Sequence, residues 1–199
     1  MTKNKLITIA TVLVLTPAVF AWKSAPRAAT LLPASRLWVT GTSTVRNFEC
    51  KATQVGAAIQ TEGLELSKDV LGGQKAVQTV VVRVPANKLD CSNSTMNEHM
   101  QTAIKSDKNA LIEFRMSSYD IKRATGTVNG KLNGTLSLGG VKKDITFDAV
   151  ATDGTNGALH VVGSYQLQMT DFGLKPPALM MGTMKVGNKV TVKFDLLVK

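Results

Sequence analysis

Aromatic residues make up only 5% of this 199-residue chain, which also has just two cysteines, two histidines and six prolines. Each scarcity excludes something. With few aromatic rings and lysines spread along the chain, there is no stacking platform for single-stranded nucleic acid and no local basic stripe for a duplex. Two histidines and two cysteines without a CxxC pair leave too few ligands at metal-binding spacing for a zinc site. The GxSxG and HExxH patterns of hydrolases are missing, and no histidine sits in sequence beside a plausible nucleophile. Asp171-Phe172-Gly173 matches a kinase triplet by chance, because the glycine-rich loop, the HRD segment and the length of a kinase are absent. No enzymatic activity, cofactor or metal is therefore expected. The longest apolar run, Leu6–Leu15, is shorter than the ~20 residues of a membrane span and is followed by Pro17.

That short run has a different reading. Lys3 and Lys5 precede it, and Val19 and Ala21 place small residues at the −3 and −1 positions of a cleavage site, so residues 1–21 read as a secretory signal peptide cut after Ala21. An uncleaved anchor is the alternative. Residues 22–34, with Pro26 and Pro33, read as a flexible approach to a single folded unit at 35–199, a length that can bury a core. Such a protein works in the periplasm or outside the cell. Acids number 14 against 24 bases. Without Lys3 and Lys5 the formal charge falls from +10 to about +8, a basic surface that tolerates or seeks anionic envelope lipids. In an oxidising compartment Cys50 and Cys91 are read as a disulfide worth about 4 kcal/mol in chain entropy, with two separate buried thiols as the alternative.

What the chain has in quantity is alternation. Ser35–Thr40, Val45–Gln60, Val77–Val84, Leu111–Met116, Gly126–Leu138, Val141–Val150, Leu159–Met169 and Lys189–Val198 each place apolar residues at every second position. Gly139-Gly140 between two of them predicts a hairpin. In Val45–Gln60 the apolar parity changes midway, from Phe48, Cys50 and Ala52 to Val55, Ala57 and Ile59, which predicts a bulge near Thr53–Gly56. Leu64–Leu66 reads as a short edge piece. Some eight antiparallel strands with one dry and one wet face are satisfied by a barrel with its apolar side inward, which also removes the edges.

One stretch breaks the alternation. Met96, Met100, Ala103 and Ile104 recur at helical spacing, Thr95 and Glu98 form a capping-box pattern, and Lys105 suits the negative end of the helix dipole. A short helix over about residues 95–105 is expected to plug one barrel end.

Four stretches, taken in order, resemble the YceI-like family of lipid-binding proteins. They are Trp38-Val39-x-Gly41-x-Ser43-Thr44-Val45-x-x-Phe48, then Val82-Arg83-Val84-Pro85-x-x-x-Leu89, then Met96-Asn97-Glu98-His99-Met100 with Leu111-Ile112-x-Phe114. The last runs from Gly130-x-Leu132 through Val141-x-Lys143-x-Ile145 to Asp171-Phe172-Gly173-Leu174. The resemblance implies an eight-stranded lipocalin-like antiparallel barrel whose elongated cavity holds an isoprenoid or another long-chain amphiphile, carried or sequestered without covalent chemistry. The lining expected of that cavity is Phe48, Val80, Val82, Val84, Met96, Met100, Ile112, Phe114, Leu132, Leu136, Phe147, Val161, Tyr165, Leu167, Phe172 and Phe194. Gly130, Gly134, Ala149 and Gly163 beside the large rings leave room for a ligand, where a barrel of this size can equally be filled by side chains. Tyr165, Gln54 and His99 are candidates for a polar head group, and Met180, Met181 and Met184 for an adaptable rim. The alternative function is a packed-core module, monomer or homodimer, whose basic face docks an anionic membrane surface.

Overall fold

Strands that alternate this cleanly must hide one face. The computed structural model, which describes residues 25–179 and 183–199, shows how they do so. The strands are β1 (Arg27–Ala29), β2 (Arg36–Ser43), β3 (Asn47–Ala52), β4 (Gly56–Thr61), β5 (Val77–Pro85), β6 (Leu89–Asp90), β7 (Leu111–Ala124), β8 (Thr127–Leu138), β9 (Val141–Asp153), β10 (Leu159–Gln168), β11 (Ala178–Leu179) and β12 (Met184–Val198). They form one antiparallel sheet in the order β1-β4-β5-β7-β8-β9-β10-β12-β2-β3-β6, with β11 paired to β12. Two α-helices accompany it among the described residues, α1 (Leu66–Leu71) and α2 (Ser94–Ala103).

The sheet curls into a barrel because one strand changes partners halfway. β3 pairs with β2, whereas β4 pairs with β5. The three residues between them turn a corner, so β3 and β4 act as one bent strand joining the two sides of the sheet. The short strands fill the gaps this bend opens. β6 lies along β3, and β1 along β4. Beyond β1 the chain reaches the end of β12, where Thr30 and Lys199 exchange main-chain hydrogen bonds of 2.7 and 2.9 Å. If β3–β4 counts as one strand and the two- and three-residue pieces β1, β6 and β11 are set aside, eight remain, the expected number.

Several expectations need correction. The parity change at Thr53–Gly56 is this corner rather than a bulge, and both apolar sets point inward because they serve different halves of the barrel wall. The 22–34 segment is not wholly a loose approach, since Arg27–Ala29 pairs with Ile59–Thr61. Leu64–Leu66 is not an edge strand. Leu66 opens α1, where Leu66 and Val70 sit one turn apart and pack toward the barrel, and Gly72-Gly73 ends the helix with Gly73 at φ +87°. β7 runs well past Met116, with a register shift between Met116 and Ser118 that moves the inward face on to Tyr119 and Ile121. The expected hairpin is present: Leu138 faces Val141 across Gly139 and Gly140, whose φ values of +58° and +85° suit a two-residue turn. The signal peptide with its cleavage after Ala21, and the rim residues Met180 and Met181, lie outside the described residues.

Two apolar clusters close the barrel ends. Val70, Ala76, Val128, Ala151 and Leu159 are buried under α1, and Val84, Leu89, Ile104, Leu138, Phe172 and Leu174 belong to the cluster at the α2 end. Outside, the wall carries charge. Arg83 and Arg115 hold the Glu113 carboxylate at 2.7 and 3.1 Å, and Lys75 pairs with Asp120 at 2.8 Å. Among the described residues no helix is long and apolar enough to cross a membrane.

Candidate ligand cavity

Inward-facing residues that do not meet across the barrel axis leave space between them. Here that space is a cavity of about 640 Å³ reaching from Leu66 and Val70 of α1 to Met96 and Met100 of α2. It falls within the ~300–1,000 Å³ usual for small-molecule sites. β8, which spans the wall, has twelve residues, roughly 40 Å of strand at ~3.3 Å per residue, so the cavity is longer than it is wide.

Fifteen of the sixteen residues expected at the lining are on it. β5 contributes Val80, Val82 and Val84, β7 gives Ile112 and Phe114, and β8 gives Leu132 and Leu136. Phe147, Val161, Tyr165, Leu167 and Phe194 come from β9, β10 and β12, Phe48 from β3, and Met96 and Met100 from α2. Phe172 is the exception. Its side chain is 1% exposed and lies in the packed cluster, because the 3₁₀ turn Met169–Phe172, ended by Gly173 at φ +61°, folds the ring inward under the loop. Gln54 is also off the cavity and exposed.

The aromatic rings and the glycines explain each other. Phe194 is paired opposite Gly163, and Phe48 opposite Gly41. A Cβ at either glycine would collide with the facing ring. Each ring therefore lies over a bare stretch of neighbouring backbone instead of filling the lumen. Phe147 meets Phe114 and Phe194 edge-on with centroids 5.2 and 5.8 Å apart, an arrangement that rings favour, and Tyr165 at a tilt with centroids 6.2 Å apart.

Polar groups on the walls are few. The Tyr119 hydroxyl accepts a hydrogen bond from the Val77 amide at 3.0 Å, and burial pushes its pKa up. Burial raises Tyr165 as well, helped by the negative charge of Asp171. Both phenols stay neutral at physiological pH. The other polar lining residues gather at the α2 end: Ser43 and Arg46 at the β2–β3 turn, Lys185 at the start of β12, and Asn93, Thr95 and His99 on or beside α2.

α2 is fastened by its ends and approaches. Asn93, not Thr95, caps it. The Asn93 side chain accepts the Met96 amide at 2.9 Å, so the Thr95–Glu98 box goes unused and Thr95 faces the cavity. Asn97 is a clamp. Its carbonyl oxygen accepts the Cys91 amide at 2.7 Å, and its NH₂ donates to Asp90 at 2.9 Å. That bond first, then the Ser92 amide, holds the Asp90 carboxyl below the ordinary carboxylate range. Cys50 and Cys91 form a disulfide that ties β3 to this approach. At the far end Lys105 adopts the left-handed conformation at φ 55°, while its ammonium donates to the Gly173 carbonyl at 3.0 Å. It lies just past the helix and closes it with the Ser106-to-Gln101 bond of a Schellman turn.

Sequence separation hides that His160 stands beside Thr152, its pairing partner on β9, with Nδ1 3.3 Å from the hydroxyl and Nε2 2.9 Å from Asp195. The half-buried trio lies outside the cavity lining. It forms a polar ladder across β9, β10 and β12 that partners both ring nitrogens of His160.

A family model described as YceI-like domain matches residues 34–198. No curated protein matches the chain. Among solved structures, BcnA of Burkholderia cenocepacia superposes with a TM-score of 0.63 at 15% identity, covering 83% of this chain and 96% of that one. A polyisoprenoid-binding domain from Saccharophagus degradans gives 0.61 at 12% identity, with 86% and 98% covered. The Campylobacter jejuni YceI protein gives 0.57 at 19%, with 74% and 82% covered. At these identities the likeness establishes the shared fold.

Proposed function

The chain belongs to the YceI-like family, and from that premise we propose that it binds one long-chain amphiphile, an isoprenoid or a fatty-chain lipid, non-covalently along the barrel axis. The observation that carries the reading is the continuous apolar cavity of about 640 Å³ between α1 and α2. A folded chain gains nothing from empty apolar space, because its lining forfeits contacts that a packed core would make. The Saccharophagus degradans neighbour, a polyisoprenoid-binding domain, lends the ligand class. An open lumen weighs against the packed-core module.

The energetics favour long chains. Each buried methylene contributes roughly 0.8 kcal/mol, whereas association costs an estimated 4–15 kcal/mol in lost freedom. A short chain cannot offset that cost, and one of a dozen carbons or more can. Holding such a chain without chemistry, in the periplasm or outside the cell, is a role of carriage or sequestration, and the disulfide fits that oxidising setting.

The test is a displacement series with saturated and isoprenoid alcohols of increasing length. Affinity should rise severalfold with each added methylene and then level off once the cavity is full. Affinity independent of length, or no displacement at any length, refutes the proposal.

A further inference from the structure

The charges on the cavity are of one sign. No aspartate or glutamate lines it among the described residues, while Arg46 and Lys185 do, both at the α2 end. Backbone pairing makes them neighbours. The Ser43 amide donates to the Arg46 carbonyl at 3.0 Å within the β2–β3 turn, and Thr44 and Lys185 bond each other across to β12 at 3.0 and 3.1 Å. Neither side chain forms an ion pair with a described residue, whereas Arg83 and Lys75 on the outer wall are taken up by Glu113 and Asp120. Two unmatched cations therefore stand where an apolar lumen meets water, and Thr95 and His99 of α2 are on the same lining.

We infer that the amphiphile carries an acidic head group, a phosphate or a carboxylate, seated between Arg46 and Lys185 while its chain runs toward α1. This rests on the chain-binding reading above and deepens it. The physical case is one of selection. A neutral head leaves both cations as they are. An acidic head that must stay hydrated at the mouth gains two charge-assisted partners without being dragged into the dry interior. Because both cations are exposed, the gain per pair is modest and falls with salt. The head group therefore tunes which chains are held, and the chain supplies the bulk of the affinity.

The experiment compares geranylgeraniol, its monophosphate and geranylgeranoic acid, all with one chain, on the wild-type protein and on an Arg46→Gln/Lys185→Gln variant. The wild type should bind both acids about tenfold more tightly than the alcohol at low salt, with the gap shrinking as salt is added. The variant should hold all three with similar affinity. Equal binding of acid and alcohol by the wild type overturns the inference, and so does a preference that survives in the variant. If the variant instead loses adhesion to anionic vesicles while the wild type shows no head-group preference, the cations serve a membrane surface and the inference is likewise wrong. Failure of every probe to bind, alcohol included, would tell against the chain-binding reading itself and is a separate result.

Discussion

The barrel closes each end with a helix over a packed cluster, but the two helices are held differently. At one end α1, a helix of six residues, buries Ser67 and Val70 and seals the sheet with a packed cluster. At the other, α2 is longer at ten residues yet buries none of them completely. Its inner face, Met96 and Met100, lines the cavity, and only Met100 also packs against the cluster at that end. What α2 lacks in burial it recovers in tethers: the disulfide, the Asn97 clamp and the Lys105–Gly173 contact. An end whose helix itself is buried is a floor. An end held by tethers at its margins is a lid, and the polar residues of the cavity gather beneath it. Stability and access are thus assigned to different ends of one sheet.

The disulfide offers the sharpest way to break this contrast. A Cys50→Ser/Cys91→Ser variant should lose about 4 kcal/mol in denaturant unfolding, given the 41-residue separation. Its hydrogen exchange should quicken first in α2 and its flanks, while the α1 end keeps its protection. Uniform quickening of both ends would erase the distinction between lid and floor. Phe172→Ala should cost about 3 kcal/mol, since the ring is fully buried. Because that ring supports the α2 end from outside the cavity, its removal should lower stability while long-chain binding persists below the unfolding transition.

A finer comparison uses one hydrogen-bonded fastening from each end. Ser67 donates to Asp153 at 3.2 Å and pins α1 to β9, and Asn97 fastens α2. Alanine at either position should cost roughly 1 kcal/mol. In stopped-flow release of a bound fluorescent chain only Asn97→Ala should act, speeding release severalfold. Equal release rates for the two variants would contradict the placement of the mouth under α2. The smallest effect belongs to the outer wall. Arg83 first, with Arg115, holds the Glu113 carboxyl below its ordinary range, against some opposition from desolvation. A lowered folded-state pKa stabilises fully above the unfolded value near 4.3 and loses that contribution as the pH falls through the folded pKa. Glu113→Gln should therefore cost only a few tenths of a kcal/mol at neutral pH, and the difference from wild type should vanish in acid.

The strand part of the cavity wall could be read in outline because its lining follows the period of two, and inward residues of a barrel share one destination. Of the sixteen residues named from the sequence fifteen line it, Met96 and Met100 through helical spacing and the others through strand parity. Phe172 does not, since a 3₁₀ turn breaks the period and a left-handed glycine sets where the ring goes. The corner at Thr53–Val55 showed as a parity change, but parity cannot tell a bulge from an exchange of partners. Tyr119 and Ile121 were missed because the shift at Met116–Ser118 resets the phase of β7. α1 was missed because six residues hold fewer than two helical turns of pattern. Arg46 and Lys185 carried no signal at all, because only the pairing of the β2–β3 turn with β12 brings them to one mouth.

The central claim, that the barrel is a container, is tested most directly by native mass spectrometry of the purified protein before and after organic extraction. A container should show a defined excess mass that disappears on extraction and returns when a long-chain lipid is supplied. A clean apo mass, with no uptake from a mixture of isoprenoid and fatty-chain lipids, would contradict it.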